Sequence, residues 1–530
     1  MDRLSALIPP RLTCQRLAFV VLAGLLTATI AHAQQAPAPS PRVAALAPAF
    51  AEIDRVFADY ARDGHVPGMA WGVIVDGALV HTGTLGVQDT GSKAPVTADT
   101  VFRIASMTKS FTAVAILALR DEGKLSLDDL AEKYVPELKD LKYPTTDSPR
   151  LTIRHLMSHA TGFPEDNPWG DQQLALSDDE MTALLEQGIP FSNPPGLAYE
   201  YSNYGFALLG RIVTRASGMP YRDYVRSRVL EPLGLTATTL DAPAVPRNLL
   251  AHGYRWEDAQ WKEEPPLPDG AFGAMGGMLT SLRDLSRYVA WMVDAWPPRD
   301  GAETGPLRRA SRREMQQVSR TSPGSIRRSP NGALLLNTGG YGYGLRVSQT
   351  CQFGHVVAHS GGLPGFGSQM RWLPEYGVGL VAMGSLTYTN WGPRFDQALD
   401  ALARTGGLVP RMPEPSPALQ SLRTDVTRLV QQWDDGLADR VAANNLYLDV
   451  AKDRRKRELE ALRTKHGACK AEGPFVVENA LRGEWVMPCE RGALRVAITL
   501  APTVPPKVQF LSVRSADTAD APKPIAACQP

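Results

Sequence analysis

Ser106 and Lys109 stand three residues apart in the stretch FRIASMTKSFTAVAILAL, residues 102–119. On a helix, that spacing puts both side chains on one face. Phe111 to Leu119 is apolar on nearly every side, which predicts a helix buried all round. A hydroxyl and an amine would then sit together at its N-terminus. There, backbone N–H groups and the helix dipole favour developing negative charge. A serine is a weak nucleophile until a neighbouring base takes its proton. A lysine in a desolvated site can have its pKa lowered enough to help. The chemistry on offer is an acylated serine with an amine activator. A Ser-x-x-Lys spacing arises by chance in a chain of 530 residues, so its weight depends on what else the chain supplies.

Two further groups carry compatible chemistry. Tyr201-Ser-Asn203 sits in a polar turn that feeds an apolar helix, Phe206 to Ala216, ended by Gly218. His359-Ser-Gly-Gly362 follows a predicted strand, Val356 to Ser360, where small residues admit another backbone closely. His155 and His159 are four apart. No third ligand accompanies them, and neither H-E-x-x-H nor paired C-x-x-C occurs. They are read as structural histidines, and no metal or other cofactor is expected.

The elements that must position these groups follow from periodicity and turn signals. Val43 to Tyr60 has helical spacing of apolar residues. Met69–Val75 and Ala78–Leu85 form a hairpin about Asp76-Gly77. Thr152 is a helix N-cap, and Asp166 to Ser192 is a polar, helical excursion over the site. Leu240 to Asp269 is irregular surface structure. Gly273-Ala-Met-Gly-Gly277 is a flexible turn before an amphipathic helix, Ser281 to Val293. Arg308 to Asn337, rich in Arg, Ser, Gly and Pro, is a mobile surface insertion with solvated basic residues. Tyr343–Val347, Val356–Ser360, Phe366–Trp372 and Val378–Gly384 make an antiparallel meander, closed by a helix from Phe395 to Arg404.

The ends of the chain differ in character. Arg11 and Arg16 precede an apolar run, Leu17 to Ile30, and then Ala31-His-Ala33. This is the pattern of a cleaved signal peptide, residues 1–33, followed by a Pro/Ala-rich tether, 34–42. No cysteine follows the cleavage pattern, so no lipid anchor and no stable membrane anchor are expected. The expectation is an exported protein, periplasmic or secreted. Residues 405–418 read as a linker, 419–518 as a small C-terminal α+β domain of open role, and 519–530 as a tail. Export permits disulfides. Cys14 leaves with the signal, Cys469 and Cys489 are the favoured pair, and Cys351 and Cys528 are left as free or paired. With 56 basic against 55 acidic residues there is no basic excess for nucleic acid.

Ser106-x-x-Lys109, Tyr201-x-Asn203 and His359-Ser-Gly361 occur in the order found in the serine β-lactamase and penicillin-binding-protein superfamily. The chain resembles its class C β-lactamase and DD-carboxypeptidase branch from about Val43 to Arg404. Val101-Phe-Arg-Ile-Ala105, Leu151-Thr-Ile-Arg-His-Leu-Met-Ser-His-Ala-Thr-Gly162 and Gly273-Ala-Met-Gly-Gly-Met278 support the likeness. It implies an α/β (α+β) fold, an antiparallel sheet flanked by helices with an all-helical subdomain. It implies Ser106 as nucleophile and Lys109 with Tyr201 as proton relay, with Tyr201 acting as a phenolate base. Asn203 would bond both substrate and Lys109, and the N–H groups of Ser106 and Gly362 would form the oxyanion hole. His359 stands where lysine is commoner, and Ser360 and Gly361 line the substrate strand. A neutral histidine recognises carboxylates weakly. The expected activity is therefore a serine hydrolase of D-alanyl-D-alanine carboxypeptidase or D-amino-acid peptidase type. A class C-like β-lactamase, a carboxylesterase and a non-catalytic binder of cell-wall peptides are the alternatives. The partner expected is a small peptide, ester or β-lactam.

Overall fold

In the computed structural model, Asp76 and Gly77 both take positive φ (48° and 86°), the backbone of a tight hairpin turn. They join β1 (Gly68–Val75) to β2 (Ala78–Gly86). The structure describes residues 40–167, 169–328 and 334–516. The signal segment, most of the tether, the tail, Cys14 and Cys528 lie outside the described residues.

Six more strands complete the sheet: β3 (Arg320–Arg328), β4 (Leu334–Tyr341), β5 (Arg346–Thr350), β6 (Gly354–Leu363), β7 (Phe366–Leu373) and β8 (Val378–Gly384). Their order is β2-β1-β8-β7-β6-β5-β4-β3, antiparallel throughout. All eight residues of β1 are buried, because both sheet faces are covered. Met69, Trp71, Val73 and Val75 pack on one side with Phe57 and Phe395, from α1 (Phe50–Asp63) and α5 (Gly392–Arg404). Ala70 and Ile74 point into the other core. That core holds α2 (Thr108–Asp121), α3 (Asn203–Ser217) and α4 (Leu282–Val293). Shorter helices between Ile153 and Leu233 complete the helical region.

Two segments depart from expectation. Arg308 to Asn337 is not simply a surface insertion with solvated basic residues in its described part. It holds a helix, Arg309–Met315, and the strand pair β3–β4, which extends the sheet. Arg312 is 1% exposed, with its guanidinium 4.6 Å from the Trp291 ring centroid and donating to the Trp291 carbonyl. Arg309 donates to the carbonyls of Gly301 and Ala302. These arginines satisfy backbone acceptors instead of facing water. Leu240 to Asp269 is likewise not wholly irregular, since Tyr254–Glu257 pairs with Gln260–Glu263.

The C-terminal region forms α6 (Pro417–Gln431), α7 (Lys452–His466) and two short helices. A four-stranded antiparallel sheet follows, of β9 (Phe475–Asn479), β10 (Arg482–Pro488), β11 (Ala493–Leu500) and β12 (Val508–Ala516). Leu419, Val426, Trp485 and Ile498 sit in its own core. Cys469 and Cys489 are joined in a disulfide. Cys351 is disulfide-bonded too, which removes the free-thiol option for it. No helix among the described residues is long and apolar enough to cross a membrane.

Candidate active site

Ser106 lies in a 3-10 turn, Ala105–Met107, that runs straight into α2. Ala105 has φ of 47°, a left-handed backbone that costs a residue with a side chain about 1–2 kcal/mol. The turn is held from several directions. Thr108 Oγ donates to the Ala105 carbonyl (2.7 Å), and Ser368 Oγ of β7 donates to the Ile104 carbonyl (2.9 Å). β6 passes so close that a Cβ on Gly361 would stand 2.1 Å from the Ile104 carbonyl oxygen. β5 pairs with β6 only as far as Ala358, so His359 to Leu363 run on beyond its end.

Lys109, one turn along, is fully buried. Its ammonium nitrogen donates to Ser106 Oγ (3.0 Å), Asn203 Oδ1 (2.7 Å) and the Met275 carbonyl (2.7 Å). Burial pushes its pKa down to about 7, against the opposing pull of Asp171 and Asp166. Tyr201 is buried beside it, with the Lys109 nitrogen 5.0 Å from its ring centroid. Burial drives the Tyr201 pKa well above the ordinary phenol range. In this resting site, Tyr201 is therefore a neutral phenol, not the phenolate expected from the resemblance. Lys109 is the group that exchanges a proton near neutrality.

Asn203 opens α3. Ser202 is its N-cap, accepting from the Gly205 N–H (3.1 Å), and the Asp166 carboxylate accepts from the N–H groups of Asn203 (2.6 Å) and Tyr204 (2.8 Å). His159 Nδ1 accepts from the Ser202 N–H (3.1 Å), and its ring packs 4.3 Å from the Tyr201 ring. His155 closes a capping box with Thr152. Both histidines thus position backbone. No group of three or more His, Cys, Asp or Glu among the described residues could hold a metal.

His359 is buried on β6 with both ring nitrogens engaged. Its Nδ1 lies 2.6 Å from the Ser360 carbonyl oxygen, which can only accept, so Nδ1 carries the proton. Nε2 then accepts from the Tyr341 hydroxyl (2.8 Å). Burial, with Lys109 and Arg346 nearby, lowers the His359 pKa to about 3, leaving the ring neutral. Ser360 is exposed on the next position of the strand. A cleft of about 410 Å³ runs along this stretch, lined by Arg346, His359, Ser360, Gly361, Gly362 and Tyr388 among others.

Ser106, Lys109, Tyr201, Asn203 and His359 are thus gathered from three segments. Four participants were given no role by the chain alone, although Met275 lies in a stretch that supported the likeness. The Met275 carbonyl belongs to a buried helical turn, Gly273–Gly276, where a flexible turn was expected. The Arg346 guanidinium lies 5.8 Å from the Tyr201 ring centroid and 6.0 Å from that of Tyr199. Asp171 is 2% exposed and accepts from the Tyr388 hydroxyl (2.9 Å). Tyr388 has φ of 51° and packs its ring on Gly362. For Arg346, Asp171 and Tyr388 no quoted motif adjoins the residue, and for Met275 the motif did not show that its carbonyl is the working group.

The family model described as Beta-lactamase matches residues 53–405. The chain is 33% identical over 261 residues to a protein named beta-lactamase from Lysobacter lactamgenus, covering 49% of this chain and 63% of that one. It is 26% identical over 337 residues to Protein flp of Staphylococcus aureus (strain COL), 63% of each chain. It is 26% identical over 313 residues to penicillin-binding protein 4* of Bacillus subtilis (strain 168), 56% of this chain and 62% of that one. The chain thus spans a little under two thirds of the length of these curated relatives. Among solved structures, an octameric penicillin-binding protein homologue from Pyrococcus abyssi shares the fold. Its TM-score is 0.57 at 22% identity, over 85% of this chain and 90% of that one. Since the family match runs from α1 to the end of α5 and takes in more than half of the chain, this protein belongs to the Beta-lactamase family.

Proposed function

We propose that the protein is an exported serine hydrolase that forms an acyl-enzyme on Ser106, with D-alanyl-D-alanine carboxypeptidase-like or D-amino-acid peptidase activity. The observation that carries this reading is Lys109, wholly buried, with a pKa near 7 and its nitrogen 3.0 Å from Ser106 Oγ. Neutral Lys109 takes the Ser106 proton as Oγ bonds to the substrate carbonyl carbon. The N–H groups of Ser106 and Gly362 hold the resulting oxyanion. Tyr201 passes its phenol proton to the leaving nitrogen as the C–N bond breaks, and regains one from the Lys109 ammonium. Water then attacks the ester, returning the proton to Ser106 and releasing a carboxylic acid. Export rests on the N-terminal signal pattern. The Lysobacter relative keeps β-lactam hydrolysis as the second reading.

A fluorophosphonate probe should add to wild-type protein at Ser106, read by mass spectrometry. Ser106→Ala should take none and lose hydrolysis by at least about 10⁴-fold. An unlabelled wild type, or full turnover by Ser106→Ala, rejects the reading. Rates on nitrocefin, a short-chain ester and a D-alanyl-D-alanine peptide then choose the substrate class.

His359, neutral and with both nitrogens engaged, offers no charge to a substrate carboxylate. Arg346 beside it does. Arg346→Gln should raise KM for a peptide with a free C-terminus by about 10- to 100-fold. An amidated peptide should show a much smaller change in the same steady-state assay.

A further inference from the structure

Asp171 is a buried carboxylate that the reaction scheme does not use. Its Oδ2 accepts from Tyr388, the one hydrogen bond acting on this carboxylate among the described residues. Oδ1 takes no hydrogen bond from the described residues, and it is not among the fully enclosed side-chain atoms that lack a partner. An open carboxylate oxygen is an acceptor that a donor from outside the protein can complete. Lys109 does not complete it, because its three hydrogen bonds go elsewhere. Asp166 differs, since both its oxygens are taken by the start of α3.

The position of Asp171 says what would complete it. The preceding Gly170 packs against the Asn203 side chain, where an added Cβ would stand 2.7 Å from Asn203 Cβ. On the other side, Tyr388 carries the contact across to Gly362 on β6. Asp171 therefore stands where the α3 wall meets the strand wall of the site. Arg346 occupies the other end, beside Tyr201 and Tyr199. One cleft is lined by both Arg346 and Tyr388. Arg346 marks a cationic end and Asp171 an anionic end, and both act electrostatically on Lys109, the neighbour of Ser106.

We propose that Asp171, presented by Tyr388, is the subsite for a free α-ammonium group, so that the preferred substrate is a zwitterionic D,D-dipeptide or a similarly short peptide with a free N-terminus. This rests on the hydrolase reading above and deepens it. The ammonium on the acyl residue faces Asp171 and the carboxylate on the leaving residue faces Arg346. This orientation places the scissile carbonyl over Ser106. A chain with a blocked N-terminus leaves the Asp171 acceptor unfilled.

Binding can be read without turnover in Ser106→Ala protein by calorimetry, using D-alanyl-D-alanine and its N-acetyl form. The free dipeptide should bind at least tenfold tighter. In Ser106→Ala/Asp171→Asn protein the two should bind alike. Equal affinities in Ser106→Ala protein, binding of neither peptide, or a preference that survives Asp171→Asn would each overturn the proposal. Fluorophosphonate labelling of wild-type Ser106, run in parallel, reports on the hydrolase reading separately. Near-ultraviolet circular dichroism of the double variant checks that the site has kept its packing, and Asp171→Glu should restore part of the preference if the charge is what matters.

Discussion

Lys109→Arg should lower kcat/KM by about 10³- to 10⁴-fold, although the positive charge is kept. A guanidinium does not give up its proton in the working pH range, so it cannot accept one from Ser106. Its planar fork also fits poorly in a slot that aims one nitrogen at Ser106 Oγ, Asn203 Oδ1 and the Met275 carbonyl. The same argument fixes the sign of the wild-type pH profile. Below about pH 7 the buried amine holds its proton and is no base, and above it the amine is free. Acylation by wild type should therefore rise with pH through about 7 and level off. Stopped-flow acylation rates from pH 5 to 9 test this, and a flat profile would remove Lys109 from the role. Stability should follow the same direction. The unfolded lysine keeps its proton up to about pH 10.5, while the folded one loses it near 7, so this group's contribution improves as pH rises between the two.

Gly361→Ala should cost at least about 100-fold in acylation rate and about 1–3 kcal/mol in stability. The new methyl would lie 2.1 Å from the Ile104 carbonyl oxygen and 2.6 Å from Ser368 Oγ. The serine can rotate away, but the carbonyl is backbone and cannot. β6 must then retreat from the Ser106 turn. The Gly362 N–H, which the proposed mechanism uses at the oxyanion, moves with it. Urea midpoints and fluorophosphonate labelling rates measure the two effects. A variant with wild-type labelling would show that the close approach of strand and turn does not matter to the chemistry.

The parts of the fold that were legible in the chain are those with strong local signals. Asp76-Gly77 announced the hairpin, and Ser281 caps α4 where the amphipathic pattern starts. β8 read as a short apolar run because all seven of its residues are buried, with both faces covered. β3 and β4 were hidden because Arg, Ser and Gly are poor strand signals. Gly340 is needed there for another reason, since a Cβ on it would meet the Arg320 carbonyl oxygen at 1.9 Å. Arg312 looked solvated because composition does not show a carbonyl and an indole waiting in the core. At the candidate site, the side chains with motifs were legible, and their protonation was not. Burial of Tyr201 reinforces the neutral phenol form and opposes the phenolate that the resemblance implied. Arg346 and Asp171 reach the site from segments 145 and 30 residues away from Tyr201, so no local pattern could connect them.

The hold on Lys109 by the Met275 carbonyl has a consequence for how this protein would respond to mutation. The contact is made by the peptide unit, so any residue at 275 that keeps the turn keeps the oxygen in place. A side-chain scan of that position would report the packing of the buried Met275 side chain and would not see the carbonyl that orients the base. The constraint is displaced onto Gly273 and Gly277, where an added Cβ would strike Asp269 Oδ1 at 2.0 and 2.1 Å. Sequence variation in this turn would then track the room around its glycines and would be blind to the atom that orients the base.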